Sequence, residues 1–240
     1  MRNRLIPCQH TIAREVRLSG KGLFTGSSVY LELKPSAPNS GIIFHRKDLG
    51  IEAKVPANFR YVFSTFRSTC LEKNGVRVLM VEHLLSALKA FGIDNVEVVL
   101  TAPEVPCGDG SASLFVELLE EAGKVSQDAL RKVWKVHQPV YWTNHKAHLV
   151  ALPSEDFQIS YTLHYPHSKI LDSQYFSLVL EKNRYVEEIS QCRTFALQEE
   201  VDGLMKKGLL LDAGLENGIL IRDDAVMNEG GLRFSTEMAR

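Results

Sequence analysis

The 240 residues of this chain lack the sequence features of secreted and membrane-spanning proteins. Its four cysteines form no C-x-x-C pair, and we expect buried free thiols in a reducing compartment. No run of eighteen apolar residues is present, which argues against a transmembrane helix. The N-terminal stretch lacks the apolar core of a signal peptide. Together these absences predict a cytoplasmic protein.

A basic excess is missing as well. The net charge is -1 and the isoelectric point is near 6.7, whereas nucleic-acid-binding domains usually carry a basic stripe. This weakens an RNA-binding interpretation. Hydrophobic residues make up 45% of the chain and charged residues 24%, which is typical of a globular protein. The length suits one large domain or two small ones.

Two familiar enzyme motifs are incomplete. Glu82 and His83 begin a predicted helix, but the residue four positions on is Ala87, so the H-E-x-x-H zinc pattern does not apply. The glycine-rich stretch from Ser19 to Gly26 lacks the spacing of a phosphate-binding loop, and no helix follows it. A tight turn between two strands explains these glycines better.

The first half of the chain combines alternating strands with two helices. Strands are predicted within residues 10–34, 42–44, 63–71, 76–80 and 96–100, with a hairpin turn at Asn74-Gly75. An apolar stripe predicts a helix over residues 81–91 that ends at Gly92. A second amphipathic helix is predicted over residues 112–122.

The second half repeats this organisation after a polar stretch, residues 123–132, which shows no strand or core signal. Strands follow within residues 133–142, 147–153, 157–165, 175–180 and 215–222, and helices over 183–190 and 198–207. Strands followed by helices in each half favour an α+β fold. We therefore predict two domains, residues 1–126 and 127–240.

Glu82 and His83 are candidates for metal-assisted hydrolysis, because a neutral imidazole can bind zinc while a nearby carboxylate takes a proton from water. An ordinary surface pair at a helix start is the alternative, since glutamate also favours the positive end of the helix dipole. Spacing alone favours this alternative. Any further zinc ligands must come from distant sequence, and two histidine pairs are candidates: His145 with His148, and His164 with His167. Solvated loop histidines are the simpler interpretation of both pairs.

Three further segments admit two interpretations each. Thr194 could donate to an oxyanion or be an ordinary buried threonine. The loop from Pro103 to Ala112 could cap the following helix or shape a pocket. The apolar residues between Leu197 and Leu211 could form a normal core or line a channel for a fatty chain.

In this order, the motifs resemble one family, the UDP-3-O-acyl-N-acetylglucosamine deacetylases of lipid A biosynthesis. The resemblance rests on five stretches that run nearly the length of the chain: GKGLFTG (20–26), VEHLLSALKAFGIDN (81–95), APEVPCGDGSA (102–112), QCRTFAL (191–197) and NEGGLRF (228–234). It implies two α+β domains whose helices pack between two outer sheets. It also implies a monomer that hydrolyses the acetamide of an acylated UDP-amino sugar with Zn²⁺.

The resemblance further assigns roles to individual residues. Glu82 would be the general base, His83 a zinc ligand, and Thr194 an oxyanion stabiliser. The passage for the acyl chain would be lined by Phe195, Leu197, Val201, Leu204 and Leu209.

The family pattern continues with a His-Lys-x-x-Asp segment and a later histidine, which supply two zinc ligands and the general acid. The present sequence ends at Arg240, before that segment. We therefore expect a chain with an incomplete second domain that is inactive, binds zinc poorly and exposes apolar surface. The alternative is a non-catalytic protein that keeps the scaffold and binds acyl chains or nucleotide sugars.

Overall fold

The computed structural model describes residues 6–144 and 147–240. Within these ranges the chain forms four α-helices and seventeen strands. The helices are α1 (Glu82–Phe91), α2 (Ser113–Ala122), α3 (Lys182–Glu188) and α4 (Gln198–Met205). The strands are β1 (Cys8–Ile12), β2 (Val16–Lys21), β3 (Ser28–Pro35), β4 (Ile42–Arg46), β5 (Lys54–Pro56), β6 (Val62–Ser64), β7 (Cys70–Lys73), β8 (Val76–Val78), β9 (Val96–Leu100), β10 (Lys124–Leu130), β11 (Val140–Thr143), β12 (His148–Ala151), β13 (Gln158–Tyr165), β14 (Asp172–Val179), β15 (Phe195–Leu197), β16 (Ile219–Arg222) and β17 (Ala225–Val226).

A five-stranded sheet organises the first half, in the order β2-β3-β9-β4-β5. Its strands are antiparallel except for the parallel pair β4 and β9. Leu31 and Leu33 alternate along β3 and are fully buried, as the period of two predicts. The apolar faces of α1 and α2 share one core with this sheet, so their hydrophobic stripes are explained by packing.

Local turn signals are confirmed where glycine or asparagine must adopt a left-handed conformation. Asn74 and Gly75 have φ of 51° and 78°, and they join β7 to β8 as a tight hairpin. Gly92 ends α1 with φ 69°. The single strand expected over residues 63–71 is wrong, because β6 ends at Ser64 and β7 begins at Cys70, with Arg67 at φ 61° between them.

The polar stretch after α2 is a strand, contrary to the sequence-based prediction for residues 123–132. β10 pairs antiparallel with β1, with His10 opposite Ser126 and Cys8 opposite Leu130. The polar side chains lie at the surface, so the strand has no hydrophobic alternation to reveal it. Pairing through the backbone with a distant strand overrides the local pattern.

The second half contains three small sheets. β11 pairs with β12 and β13 with β14 as hairpins, while β15 lies parallel to β16 and β17 pairs with β16. A hydrogen bond of 2.6 Å between Ser86 Oγ and Tyr185 Oη ties α1 to α3. Outward-facing apolar side chains are numerous on the β11–β12 hairpin: Val140, Tyr141, Trp142, Leu149 and Val150.

The mixture of helices with antiparallel and mixed sheets confirms the predicted α+β class. All four predicted helices are present, with boundaries that shift by only one or two residues. Over the described part of the chain, no helix is long and apolar enough to span a membrane.

Candidate active site

A cavity of about 250 Å³ lies where the start of α1 faces β15, β16 and α4. Its lining includes three of the chemically important candidates, Glu82, His83 and Thr194. Most other lining side chains are apolar: Leu23, Phe24, Met80, Phe195, Val201, Leu204, Met205, Leu210, Leu215, Ile219 and Leu220. The fold therefore joins residues separated by more than a hundred positions into one site.

The start of α1 is held in place by backbone contacts on both sides. The Thr69 N–H donates to Glu82 Oε2 across 2.9 Å, and the Val81 N–H donates to the Thr69 carbonyl across 3.2 Å. Met80, just before the helix, is buried and has φ 56°, an uncommon conformation for a non-glycine residue. Such strain persists only where the surroundings fix it. The carboxylate of Glu82 thus enters the cavity in a fixed orientation.

The protonation of Glu82 and His83 follows from their burial. Burial raises the pKa of Glu82, and this outweighs the hydrogen bonds to its carboxylate, including that from the Thr69 N–H. Burial lowers the pKa of His83, although the charge of Asp109 opposes this. The His83 imidazole is therefore neutral near pH 7, as a metal ligand must be. A raised pKa makes Glu82 a better proton acceptor than a solvated glutamate.

Thr194 is positioned from both directions by its backbone. Its N–H donates to the Gly110 carbonyl across 2.8 Å, and its carbonyl accepts from the Ile219 N–H across 2.7 Å. Gly110, at φ 82°, packs so closely that a β-carbon there would collide with the Asn217 carbonyl. The loop from Pro103 to Ala112 therefore positions Thr194. It also keeps its turn chemistry, since Ser111 Oγ accepts from the N–H of Ser113, the first residue of α2, and Asp109 Oδ1 accepts from the Ser111 N–H.

Arg193, the residue before Thr194, forms a largely buried ion pair with Glu237. Arg193 Nε donates to Glu237 Oε1 across 2.9 Å, and Glu237 is almost completely buried. Glu237 also accepts from the Arg193 and Arg233 N–H groups across 3.1 and 2.6 Å. Arg233 in turn donates to Asp109 Oδ2 across 2.8 Å. These contacts connect the motif around Arg233 to the loop that holds Thr194.

The glycine-rich turn contributes Leu23 and Phe24 to the cavity lining. Glu104, fully buried, accepts from the Phe24 and Thr25 N–H groups, each across 2.9 Å. A side chain at Gly22 would occupy the space of the Glu104 carboxylate. The turn is therefore shaped by an internal carboxylate, which agrees with the structural interpretation of its glycines.

The predicted acyl-passage residues separate into two groups. Phe195, Val201 and Leu204 line the cavity. Leu197 instead packs against the core of the second half, and Leu209 is exposed, with its N–H donating to the Leu204 carbonyl.

Sequence reasoning missed an ion pair beside the cavity, between Arg67 and Glu200. Both side chains line the cavity. Arg67 is on the irregular loop between β6 and β7, and Glu200 is in the first turn of α4. No local motif links the two, because they are more than a hundred residues apart.

The other histidine candidates lie elsewhere. His148 is exposed on β12, and His164 on β13, where its Nδ1 is 2.7 Å from Ser173 Oγ. His167 is also exposed, and His145 falls outside the described residues. Among the residues that the structure describes, no group of three or more His, Cys, Asp or Glu side chains could hold a metal ion.

Comparison with known proteins agrees with the resemblance. Residues 9–240 match the family model described as LpxC, UDP-3-O-acyl N-acetylglycosamine deacetylase. The chain is 41% identical over 233 residues to the UDP-3-O-acyl-N-acetylglucosamine deacetylase of Chlamydia pneumoniae, covering 97% of this chain and 83% of that protein. Its identity to the enzyme of the same name from Chlamydia caviae is 42% over 232 residues, covering 97% and 82%. The chain belongs to the UDP-3-O-acyl-N-acetylglucosamine deacetylase family.

Proposed function

We propose that this chain carries the catalytic cavity of a zinc-dependent hydrolase that removes the N-acetyl group of UDP-3-O-acyl-N-acetylglucosamine in lipid A biosynthesis. The names of its relatives support the substrate and the reaction. One structural observation carries the proposal. Glu82, His83 and Thr194 line a cavity whose remaining walls are mostly apolar, so hydrolytic groups and a binding surface for a fatty chain adjoin each other.

The proposed chemistry assigns one task to each polar side chain. Glu82 accepts a proton from the attacking water, which its raised pKa favours. The Thr194 hydroxyl donates to the oxyanion of the tetrahedral intermediate, and the backbone bonds to Gly110 and Ile219 preorganise it. Phe195, Val201 and Leu204 contact the acyl chain. Leu197 and Leu209, which do not line the cavity, are left outside the proposed passage.

A zinc ion at this cavity would need protein ligands beyond His83. His83 fits, because it lines the cavity and burial lowers its pKa. A catalytic zinc site needs three protein ligands, and the described residues bring no such group together. The residues described do not by themselves fit a catalytic zinc ion. We therefore propose that this 240-residue polypeptide binds zinc weakly, through His83, and shows no turnover alone.

We also propose the division into residues 1–126 and 127–240. The largest core cluster lies within residues 12–122 apart from Tyr185, which supports a first unit, although β10 extends past residue 126. In the second unit, Leu163, Leu171, Ile219, Ile221, Met238 and Ala239 form a separate buried cluster, which supports a second core. We further propose that the protein is a cytoplasmic monomer. Its helices pack between the two sheets.

The substrate assignment is tested by calorimetric titration of the purified chain. We expect binding of UDP-3-O-acyl-N-acetylglucosamine and much weaker binding of UDP-N-acetylglucosamine, which lacks the acyl chain. Equal affinity for the two would contradict the assignment.

The zinc assignment is tested separately by equilibrium dialysis and acetate release. We expect weak zinc binding that His83→Ala abolishes and that His164→Ala, at an exposed histidine, leaves unchanged. Zinc bound equally by the native chain and His83→Ala would support the alternative of a non-catalytic binder. Stoichiometric zinc with turnover would contradict the incomplete donor set.

A further inference from the structure

An exposed surface beside the cavity combines phenylalanines with basic side chains. We define it as the aromatic–basic patch, made of Phe59, Arg60, Phe63, Phe66, Lys73 and Arg77. The three phenylalanines are 81%, 44% and 65% exposed, in chain order. They lie within eight consecutive residues, whereas soluble proteins usually bury such side chains. So much exposed aromatic surface in one segment indicates a contact surface.

The basic side chains of the patch lie over aromatic rings. The Arg60 guanidinium is 5.9 Å from the centre of the Phe59 ring, and that of Arg77 is 4.9 Å from the Phe63 ring. Lys73 Nζ lies 5.6 Å from the ring of Tyr61. Each cation therefore sits next to an aromatic face, so charge and apolar surface are interleaved rather than segregated.

The charge of this surface is positive even when acidic partners are counted. Arg77 pairs with Glu72, and the neighbouring Arg67 pairs with Glu200. Arg60 and Lys73 add two positive charges beyond these pairs. No acidic residue occurs from Ala53 to Leu71. A surface of this kind complements an anionic partner.

The patch adjoins the cavity through Arg67, which follows Phe66 in sequence. Arg67 lines the cavity and is also exposed, so it lies at the cavity rim. A ligand with a fatty chain would reach the cavity from this side without crossing much water. This short route matters only if the proposed acylated substrate is correct. Binding of the patch to a partner does not depend on the substrate.

We propose that the aromatic–basic patch docks the protein on an anionic phospholipid bilayer. Aromatic side chains favour the interfacial region of a bilayer, and basic side chains are attracted to anionic headgroups. The patch supplies both, as do the apolar and basic faces of peripheral membrane-binding segments. A second copy of the chain fits less well, because two positive surfaces would repel each other.

The test is cosedimentation of the purified chain with vesicles, without substrate or zinc. One set of vesicles contains phosphatidylcholine alone, and the other contains phosphatidylcholine with phosphatidylglycerol. We expect binding to the anionic vesicles, weaker binding to the neutral ones, and loss of the difference at high salt. This readout needs no turnover, so its failure is distinct from failure of the proposed function.

Variants identify the surface that binds. Phe59→Ser, Phe63→Ser and Phe66→Ser combined should weaken binding by roughly ten-fold or more, since one fully buried aromatic side chain is worth about that factor. Arg60→Ala should weaken it by roughly five-fold. The matched control, Tyr141→Ser with Trp142→Ser, changes exposed aromatics on the β11–β12 hairpin and should leave binding unchanged.

Three outcomes would overturn the proposal: no binding to anionic vesicles, equal binding to neutral ones, or loss of binding in the hairpin control instead of the patch variants. Sedimentation without vesicles tests whether a second copy of the chain binds the patch instead. Self-association of the native chain that the triple phenylalanine variant abolishes would assign the patch to a second copy and also overturn the proposal. Circular dichroism of each variant confirms that loss of binding is not loss of folding.

Discussion

The backbone N–H of Thr69 donates a 2.9 Å hydrogen bond to the carboxylate of Glu82, and this contact crosses from the loop after β6 to the first residue of α1. The hydrogen bond fixes the partly desolvated carboxyl group of Glu82 at the cavity. The bond favours the ionised carboxylate, yet burial dominates and the pKa of Glu82 stays above its ordinary value. Folding is therefore easier when this side chain is neutral.

Replacing Glu82 by glutamine should consequently stabilise the chain at neutral pH. An acid whose pKa is raised by folding takes up protons as the chain folds, so its stability contribution is lost as pH rises from 4.5 through the folded pKa. Glu82→Gln keeps an acceptor for Thr69 and removes the buried charge. Thermal unfolding against pH should show a gain over the native chain that disappears near pH 4.

The control is Glu121→Gln, at an exposed position on α2, which should change the unfolding temperature little at neutral pH. Lower stability of Glu82→Gln at neutral pH would show that hydrogen bonding, not burial, dominates at this carboxylate.

Glu237 should behave in the opposite way. Burial would raise its pKa, but the hydrogen bond from the Arg193 side chain and those from the Arg193 and Arg233 N–H groups outweigh it, so the pKa lies below its ordinary value. Stability is then fully present above pH 4.5 and falls as pH drops through the folded pKa.

Glu237→Gln should therefore remove this acid dependence and cost about 3–5 kcal/mol, because it leaves the largely buried Arg193 cation without a counterion. Urea unfolding at neutral pH gives the size of the effect. Glu120→Gln, which breaks the exposed pair with Lys182, should cost only about 0–1 kcal/mol. Similar losses in the two variants would mean that the Arg193 pair behaves like a surface pair.

A β-carbon at Gly110 should destabilise the loop whose Gly110 carbonyl accepts from the Thr194 N–H. Gly110→Ala adds a collision with the Asn217 carbonyl to the cost of a positive φ. Gly41→Ala is the matched control, since Gly41 has φ 71° and no neighbour within 4 Å. We expect about 1–2 kcal/mol of destabilisation for the control and more for Gly110→Ala. Equal costs would indicate that the loop yields freely around position 110.

A charge in the cavity should weaken binding of an acylated ligand. Val201→Asp places a carboxylate among apolar lining residues, and the loss should be roughly ten-fold or more in Kd. Leu209→Asp changes an exposed neighbour outside the lining and should have little effect. Calorimetric titration with the acylated nucleotide sugar compares the two. An equal loss of affinity in the two variants would indicate that Leu209 also contacts the acyl chain.

The helices and most strands were predictable, because their signals are local. The apolar stripe of α1 and the Asn74-Gly75 turn predict structure from a few neighbouring residues. The strand β10 was not predictable, since its stability comes from backbone pairing with β1 and its side chains show no alternation of buried apolar and exposed polar residues.

The same distinction applies to the site. Glu82, His83 and Thr194 emerged from motifs, and the fold brings them into one cavity. Arg67, Glu200 and Glu237 did not emerge, because each matters through a partner far away in the chain. An isolated arginine or glutamate gives no sign of such a partner, so these contacts required the structure.

The pairing of β1 with β10 also bears on how the polypeptide is made. During synthesis the strand Cys8–Ile12 leaves the ribosome first, but its partner Lys124–Leu130 follows only after the whole five-stranded sheet. Until then the early strand has an open edge that a chaperone or another nascent chain can occupy. Closure of this sheet is a long-range event and is therefore slow, so translation pauses after residue 130 would favour correct assembly.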